Sequence, residues 1–273
     1  MDLRISGDVA VIVGGANGIG RATATAFAKE GASVVVLDIS EDTDERAKEL
    51  VDRGLVDKEG PTALGVQCDI TDLGAVESAR DRVLEKLGRV DHIVHTAAIG
   101  SGKFGFPFLN LEPADWHRVL EVNIQGAVHI AHAFSPTLIE RQRGTFAMIS
   151  SVAALFGSPT DPPYSASKAA LLNFAQCMAR DLAPHGVRVN TICPGMIRTT
   201  LNRAVWQSWH DTQPPDQRLS YEEWGGAKVR DLVPLGRWQD PEDVAAMAVF
   251  LASERARNVT GQTVNVDGGY VIG

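Results

Sequence analysis

The sequence has little cysteine, and none of it occurs in closely spaced pairs. Cys68, Cys177 and Cys193 lie far apart among 273 residues, and their number is odd. This pattern fits a reducing compartment and argues against both a disulfide framework and a zinc site. We therefore expect packed thiols, no bound metal and a cytoplasmic location.

Long apolar runs and basic clusters are also missing. No apolar run approaches the roughly 18 residues of a membrane-spanning helix, and the first residues lack the layout of a signal peptide. The formal net charge is −8, which argues against nucleic-acid and anionic-membrane partners. Hydrophobic residues make up 44% of the chain, as in a globular protein with a substantial core. We expect one domain over residues 1–273 that acts on a small molecule.

What the sequence does contain is a series of short segments rich in valine and isoleucine that alternate with helical patterns. Strands are predicted at 8–13, 33–38, 63–68, 90–95, 145–149, 187–193 and 262–266. The alternation predicts an α/β, three-layer Rossmann fold with a doubly wound seven-stranded parallel sheet and helices on both faces. Between the strands, a charged helix is predicted from Glu41 to about Gly60, and another helix is predicted to open at Asp69.

One long segment lacks clear periodicity. The region 200–236 is crowded with Trp, Tyr and Pro and follows the carboxyl end of the sixth strand. A segment of this kind is predicted to form a lid over a binding site, at about 197–236. Structural packing or a subunit contact is the alternative interpretation.

A glycine-rich turn joins the first strand to the first helix. Gly14, Gly18 and Gly20 lie in this turn with Asn17 and Ile19. Glycines allow backbone N–H groups to approach a pyrophosphate, which then sits at the positive end of the helix. Ordinary tight turns use the same residues, so the strand–turn–helix context carries the prediction of a dinucleotide site.

The choice of dinucleotide depends on the end of the second strand. Asp38 lies about 20 residues after the glycines, where a dinucleotide fold places the acid that binds the adenosine ribose. A carboxylate there repels the 2′-phosphate of NADP, and neither Asn17 nor Ile39 offers a compensating positive charge. We predict NAD (NADH) as the cofactor, with a solvated helix-capping Asp38 as the alternative. Asp69 is predicted to bind the adenine amine, to cap the helix that follows it, or both.

A tyrosine and a lysine are spaced for proton transfer near the start of a predicted helix. Asp161 is a suitable N-cap, and Pro162 and Pro163 fit the first helical turn. Tyr164 and Lys168 would then lie one turn apart on one face, where an ammonium favours the phenolate. An ordinary helix start with two surface side chains is the alternative.

Taken together, these motifs resemble the short-chain dehydrogenase/reductase family over essentially the whole chain. The family's catalytic tetrad corresponds to Asn123, Ser151, Tyr164 and Lys168, and its Pro-Gly motif corresponds to Pro194-Gly195. The resemblance implies hydride transfer between a secondary alcohol and a nicotinamide. The cofactor-binding residues expected from the motifs and the resemblance are Gly14, Asn17, Gly18, Ile19, Gly20, Asp38, Ile39, Asp69, Ile70, Ala97, Tyr164, Lys168, Pro194, Gly195, Ile197 and Thr199.

The resemblance also implies a role for each member of the tetrad. Tyr164 would be the general acid or base, and Ser151 would hydrogen-bond the substrate oxygen. Lys168 would lower the pKa of Tyr164 and hold the nicotinamide ribose. Asn123 would open its helix at a water that connects Lys168 to solvent. We also expect the homotetrameric assembly that is common in the family.

Two segments depart from the family pattern. Val13 replaces a threonine before the first glycine, and His95-Thr96-Ala97-Ala98 replaces Asn-Asn-Ala-Gly. In the family these segments are bonded to each other and steady the central sheet. We expect Thr96 to replace part of that bonding.

Several functions stay open from the sequence. The leading prediction is an NAD-dependent oxidoreductase of a secondary alcohol or ketone. Its substrate residues would be Ser151, Tyr164, Phe104, Phe156, Met196 and Trp206. One alternative is reduction of a 3-oxoacyl thioester on acyl carrier protein or CoA, although such enzymes usually prefer NADPH. A non-catalytic dinucleotide-sensing regulator is a third hypothesis, against which the intact tetrad counts.

Overall fold

The computed structural model describes residues 2–56, 62–103, 105, 107–158 and 160–272. Within these ranges the strands form a seven-stranded parallel sheet in the order β3-β2-β1-β4-β5-β6-β7. The strands are β1 (Val9–Val13), β2 (Ser33–Asp38), β3 (Ala63–Gln67), β4 (His92–His95), β5 (Gly144–Ile149), β6 (Val187–Pro194) and β7 (Thr263–Val266). The predicted doubly wound sheet is confirmed.

Helices cover both faces of this sheet. They are α1 (Gly18–Lys29), α2 (Thr43–Asp52), α3 (Leu73–Leu87), α4 (Ala114–Leu120), α5 (Gly126–Arg141), α6 (Pro162–Leu182), α7 (Thr200–Thr212), α8 (Tyr221–Leu232) and α9 (Pro241–Ala252). Alternate residues of each strand enter separate cores: Val11 packs with Phe134 of α5, whereas Ile12 packs with Phe27 of α1. Because both faces are buried, the strands read as continuous apolar runs.

Two predicted helix boundaries are wrong. The helix predicted from Glu41 to about Gly60 is α2, which ends at Asp52 and is followed by Gly54 in the left-handed region at φ 64°. Residues 57–61 of that prediction lie outside the described residues. The next helix begins at Leu73 rather than at Asp69, because Asp72 is its N-cap and accepts hydrogen bonds from the N–H groups of its first turn.

The segment 200–236, whose sequence lacks clear periodicity, contains two helices. α8 begins with a capping box, in which Ser220 and Glu223 bond each other's backbone N–H groups, and Thr199 caps α7. Aromatic side chains join the two helices, including Trp209 against Trp224 with ring centroids 6.2 Å apart. In the described part of the chain, no helix is both long and apolar enough to cross a membrane.

A buried ionic network holds the edge of the sheet opposite the strands' carboxyl ends. Asp91 is fully buried, accepts a hydrogen bond from Val9 N at 2.9 Å, and pairs with Arg89 at 2.7 Å and Arg141 at 3.2 Å. Burial alone would raise the pKa of Asp91, but the hydrogen bonds from Arg89 and Val9 outweigh it and hold the pKa below its usual value. Arg89 also pairs with Asp8 at 2.9 Å. This network ties β1 to β4.

Candidate active site

A cavity of about 680 Å³ lies at the carboxyl ends of the strands. This is the edge at which open α/β sheets bind ligands. The predicted site residues that line it are Gly14, Asn17, Gly18, Ile19, Gly20, Asp38, Ile39, Asp69, Ile70, Ala97, Ser151, Phe156, Tyr164, Lys168, Pro194, Gly195, Met196, Ile197 and Thr199.

Two of the described predicted residues, Asn123 and Trp206, do not belong to that lining. Asn123 is fully buried beside the cavity. Trp206 turns away from it, because its indole N–H donates to Leu219 O at 3.1 Å and its ring meets Tyr221 edge-on at 5.7 Å. Trp206 therefore holds α7 to α8 instead of forming a cavity wall. Phe104 lies outside the described residues.

The glycine turn is built for close approach of a ligand. Gly14 and Gly18 have φ values of 79° and 51°, a region that favours glycine. A Cβ at Gly14 would lie 2.7 Å from Ala97 N, and one at Gly20 would overlap the carbonyl oxygen of Gly14. Asn17, the N-cap residue of α1, makes no side-chain cap. The uncapped N-terminus of α1 at the cavity fits a pyrophosphate.

Asp38 lies at the end of β2 with both carboxylate oxygens fixed. One oxygen accepts a hydrogen bond from Ala16 N at 3.0 Å and the other from Ser40 N at 3.1 Å. Two nearby arginines are already ion-paired: Arg21 with Glu49 at 2.8 Å, and Arg46 with the carboxylates of α2 and its N-cap. The Asp38 carboxylate is thus held in place at the cavity, while Arg21 and Arg46 are paired with other carboxylates.

Asp69 presents a second carboxylate to the cavity. Thr71 donates to it from its backbone N–H at 2.9 Å and from its hydroxyl at 2.8 Å, and these bonds lower the pKa of Asp69. Arg118 lies 3.9 Å from the other carboxylate oxygen. Since Asp72 caps α3, the capping role predicted for Asp69 is wrong, and its remaining lone pairs are available for a ligand such as an adenine amine.

The start of α6 brings the tyrosine and lysine together as predicted. Asp161 caps the helix by accepting a hydrogen bond from Tyr164 N at 3.4 Å. The Ser151 side chain comes from the turn after β5 and lies close enough to the phenol of Tyr164 to lower its pKa slightly. The Lys168 ammonium lies 5.5 Å from the centroid of the Tyr164 ring. A hydroxyl, a phenol and an ammonium therefore meet at one wall of the cavity.

Burial dominates the acid–base properties of this group. It raises the pKa of Tyr164 to about 12, against a smaller lowering by the Ser151 side chain. Burial also lowers the pKa of Lys168 to about 8. The expectation that Lys168 lowers the phenol pKa does not hold here. The ammonium is directed to Ile149 O, to which it donates at 2.8 Å, and desolvation of the phenolate outweighs its field.

Asn123 acts through its side chain as a cross-brace. Its amide oxygen accepts from Ile99 N at 2.8 Å, while its amide nitrogen donates to Ile99 O and to Ser167 Oγ, both at 2.9 Å. Ser167 in turn donates to Tyr164 O at 2.7 Å. Around Asn123 the helix opens into a π turn at Glu121–Gln125, as the tetrad assignment leads one to expect. The side chain thus fixes the helical turn between Tyr164 and Lys168.

The two segments that depart from the family pattern remain bonded to each other. The backbone N–H groups of Thr96 and Ala97 donate to Val13 O at 2.8 and 3.1 Å. The Thr96 hydroxyl lies 2.7 Å from Val13 O and 3.1 Å from Gly14 O, so it donates to this pair of carbonyls. The expectation that Thr96 replaces part of the bonding is confirmed.

His95 is the unusual member of this region. Its side chain is fully buried, and neither ring nitrogen has a hydrogen-bond partner among the described residues. Burial, together with the positive charge of Lys168, lowers the pKa of His95 to about 3. The imidazole is therefore neutral in the folded protein at every pH near neutrality.

Acid should consequently destabilise the protein through His95. The folded-state pKa lies below the usual 6.5, so its contribution is intact above pH 6.5 and is lost as pH falls towards 3. The loss should reach about 2 kcal/mol of unfolding free energy between pH 6.5 and about pH 5. In His95→Asn this part of the acid loss should disappear, as measured by urea unfolding at both pH values.

A matched control for this experiment is His117→Asn, because His117 is exposed. On acidification, His117→Asn should lose as much unfolding free energy as the unmodified protein loses. An unchanged acid loss in His95→Asn would show that burial of the imidazole does not determine the acid response.

The structure also brings residues to the cavity that the sequence did not single out for it. They include Asn202, Trp224, Lys228 and Asp161, the last of which was predicted only as a cap. Asp161 additionally accepts a hydrogen bond from Ser101 N at 2.8 Å and so anchors the loop after β4. Trp224 and Lys228 are four residues apart, which places them on one helix face. This spacing is visible in the sequence and could have indicated that the two side chains act together.

The chain is similar to known proteins over nearly its whole length. The family model described as enoyl-(acyl carrier protein) reductase matches residues 14–271. The 3-oxoacyl-[acyl-carrier-protein] reductase FabG of Thermotoga maritima is 34% identical over 99% of this chain and 100% of its own length.

Solved structures give a similar result. L-sorbose reductase from Gluconobacter frateurii, complexed with NADPH and L-sorbose, aligns with a TM-score of 0.88, 30% identity and full coverage of both chains. Carveol dehydrogenase from Mycobacterium avium, in complex with NAD, aligns with a TM-score of 0.87 and 29% identity over 98% of each chain. With the glycine turn, the Ser–Tyr–Lys cluster and the seven-stranded parallel sheet, these matches show that the chain belongs to the short-chain dehydrogenase/reductase family of oxidoreductases.

Proposed function

We propose that the protein is an NAD-dependent oxidoreductase that interconverts a secondary alcohol and a ketone, with Tyr164 as general acid and base. The observation that carries the proposal is the meeting of Ser151, Tyr164 and Lys168 in the cavity that also holds the glycine turn. A panel of secondary alcohols and ketones, read by NADH absorbance, tests it. Turnover of members of that panel is the expected result.

The residues present fit a nicotinamide dinucleotide. The uncapped N-terminus of α1 would hold the pyrophosphate, Asp38 the adenosine ribose and Asp69 the adenine amine. The backbone of Ile197 and the hydroxyl of Thr199 would hold the carboxamide, in agreement with their position in the cavity lining. When bound, the nicotinamide supplies the hydride acceptor or donor.

The chain's own residues would manage the proton. Ser151 would hydrogen-bond the substrate oxygen and stabilise the developing alkoxide. Tyr164 would deliver the proton in reduction and remove it in oxidation. Burial raises the pKa of Tyr164 to about 12. In the protein without a bound cofactor, this phenol is therefore a proton donor. Removing a proton from an alcohol requires positive charge near the phenol in addition to that of Lys168, which an oxidised nicotinamide would supply.

We predict that the enzyme prefers NADH to NADPH by about a hundredfold or more in kcat/KM. A 2′-phosphate would face the fixed carboxylate of Asp38, and juxtaposed like charges cost several kcal/mol. Steady-state kinetics with both cofactors give the ratio. Asp38→Asn should narrow it at least about tenfold by removing the repulsion.

Glu41→Gln is the control for a general charge effect, because Glu41 is a nearby exposed acid. It should leave the cofactor ratio unchanged. A preference for NADPH in the unmodified enzyme would disprove the cofactor assignment.

Reduction of a 3-oxoacyl thioester is the second candidate function, favoured by the 34% identity to the 3-oxoacyl-[acyl-carrier-protein] reductase of Thermotoga maritima. Asp38 counts against it to the extent that such enzymes prefer NADPH. Turnover of 3-oxoacyl-CoA at a higher kcat/KM than simple ketones would favour this candidate. A dinucleotide-sensing regulator without turnover is disfavoured by the meeting of Ser151 with Tyr164 and Lys168.

The remaining parts of the proposal concern the lid, the oligomeric state and the cellular location. The α7–α8 segment lies within the predicted lid at about 197–236, and Thr200, Leu201 and Val205 of α7 line the cavity. We assign this segment the role of closing over the substrate. The expected homotetramer and the cytoplasmic location complete the proposal.

A further inference from the structure

One face of helix α8 forms part of the cavity wall. Trp224, Lys228 and Leu232, spaced by four residues, all line the cavity. Residues four apart lie one above another on a helix. The α7–α8 segment therefore presents a tryptophan, an ammonium and a leucine to the cavity in a row.

This wall belongs to the half of the site remote from the adenosine end. Soon after α8, Leu235 N donates to Gly268 O at 3.0 Å, just beyond β7. Close by, Tyr270 meets Phe156 edge-on with ring centroids 5.6 Å apart. Both contacts lie at the β5–β6–β7 half of the sheet, whereas Asp38 ends β2 in the other half. Lys228 is thus on the substrate side.

The ammonium of Lys228 has no anionic partner there. No carboxylate of the described residues lies within ion-pair distance, and the amine instead sits 3.9 Å from the centroid of the Trp224 ring. The side chain is half-buried, and burial lowers the pKa of Lys228 to about 8. The amine therefore remains mostly protonated at pH 7. A desolvated positive charge without a counter-ion stands in a chain of net charge −8.

Asp161 and Lys168, two other charged residues of the cavity lining, do not compensate for it. Asp161 directs its carboxylate to the backbone amides of Ser101 and Tyr164, at 2.8 and 3.4 Å. Lys168 is held by Ile149 O at the reacting centre. The Trp224 face steadies the ammonium by a cation–π contact but supplies no full negative charge.

We propose that Lys228 is a specificity residue that binds a carboxylate at the end of the substrate remote from the reacting carbon. The proposal rests on the proposed function, since it names the substrate class of that same site: oxo acids and their hydroxy-acid counterparts. One ammonium among apolar neighbours matches a single negative charge. A phosphate dianion would leave an unpaired charge in this apolar end of the cavity.

The test compares methyl-ketone carboxylates that have one to four methylene groups between carbonyl and carboxylate with their uncharged amides. The unmodified enzyme should favour the carboxylate at the best chain length. Lys228→Met removes the charge and keeps an unbranched side chain that is one atom shorter. It should lower kcat/KM for that carboxylate by about tenfold to a hundredfold, mainly through KM, because a hydrogen bond to a charged group is lost. The amides should change less than about twofold.

Lys228→Arg retains the charge and should keep most of the carboxylate preference. The dissociation constant of NADH, from fluorescence titration, should be the same in all three proteins. An equal loss for carboxylates and amides, or weakened NADH binding in Lys228→Met, would overturn the proposal.

Failure of the proposed function would be seen separately. If no ketone or alcohol is turned over, that function fails while calorimetry still decides the binding inference. Calorimetric titration of the NADH-saturated protein with the carboxylates should show tighter binding to the unmodified protein than to Lys228→Met. Equal affinities, or no binding of any carboxylate to either protein, would overturn the inference.

Discussion

Tyr164→Phe is expected to lower kcat by about 10²- to 10⁴-fold, the range that general acid–base catalysis contributes. The substitution removes only the hydroxyl that lies beside Ser151 and would exchange a proton with the substrate oxygen. The ring, its place in the first turn of α6 and the position of Lys168 are retained. NADH affinity should therefore change less than about threefold, since most cofactor contacts lie elsewhere in the cavity. Stopped-flow turnover and a fluorescence titration of NADH measure the two quantities.

The control is Tyr221→Phe, which removes a phenol from helix α8 of the proposed lid. The hydroxyl of Tyr221 donates to Asn202 at 2.9 Å and does not line the cavity. Its loss should lower kcat less than about tenfold. If Tyr164→Phe kept substantial activity, Tyr164 would not be the acid and base.

The sequence correctly predicted those parts of the site whose residues are only a few positions apart in the chain. Tyr164 and Lys168 share one turn of helix, and Gly14, Gly18 and Gly20 share one loop. Once the helix and the turn form, chain geometry places these groups with little help from distant residues.

The parts that the sequence missed depend on how helices dock. Val205 lines the cavity and Trp206 does not, although they are neighbours on α7. That choice is set by the contact of α7 with α8, which joins residues far apart in the chain. The same holds for Lys228, whose charge is notable only because no carboxylate of the described residues comes near it.

The pKa values of Tyr164 and His95 could not be predicted from the sequence for a related reason. The sequence predicts that Lys168 lowers the pKa of Tyr164, because an ammonium four residues away is the visible perturbation. Burial is a property of the packed fold, and here it raises the phenol pKa to about 12. In the same way, His95 could be seen as a departure from the family, but its two unpartnered ring nitrogens could not.

Among the proposed substitutions, Asp91→Ala should lower the free energy of unfolding most, by about 3–5 kcal/mol at pH 7. The substitution removes a fully buried carboxylate and leaves Arg89 and Arg141 without it. It also removes the acceptor for Val9 N between β1 and β4. Since the pKa of Asp91 is lowered by folding, its contribution is present above the usual carboxyl pKa and is lost as pH falls through the lower folded value. The penalty of the substitution should therefore shrink in acid.

Urea unfolding at pH 7 and near pH 3 measures this penalty, with Asp81→Ala as the matched control. Asp81 pairs with Arg80 at 2.7 Å, but its side chain is 67% exposed, so its loss should cost at most about 1 kcal/mol. Because the Asp91 network lies at the edge opposite the cavity, kcat of folded Asp91→Ala, measured at low temperature, should stay within a few-fold of normal. A cost for Asp91→Ala no greater than that for Asp81→Ala would show that the network does not hold β1 to β4. A large loss of kcat in the folded variant would mean that the two edges of the sheet are mechanically coupled.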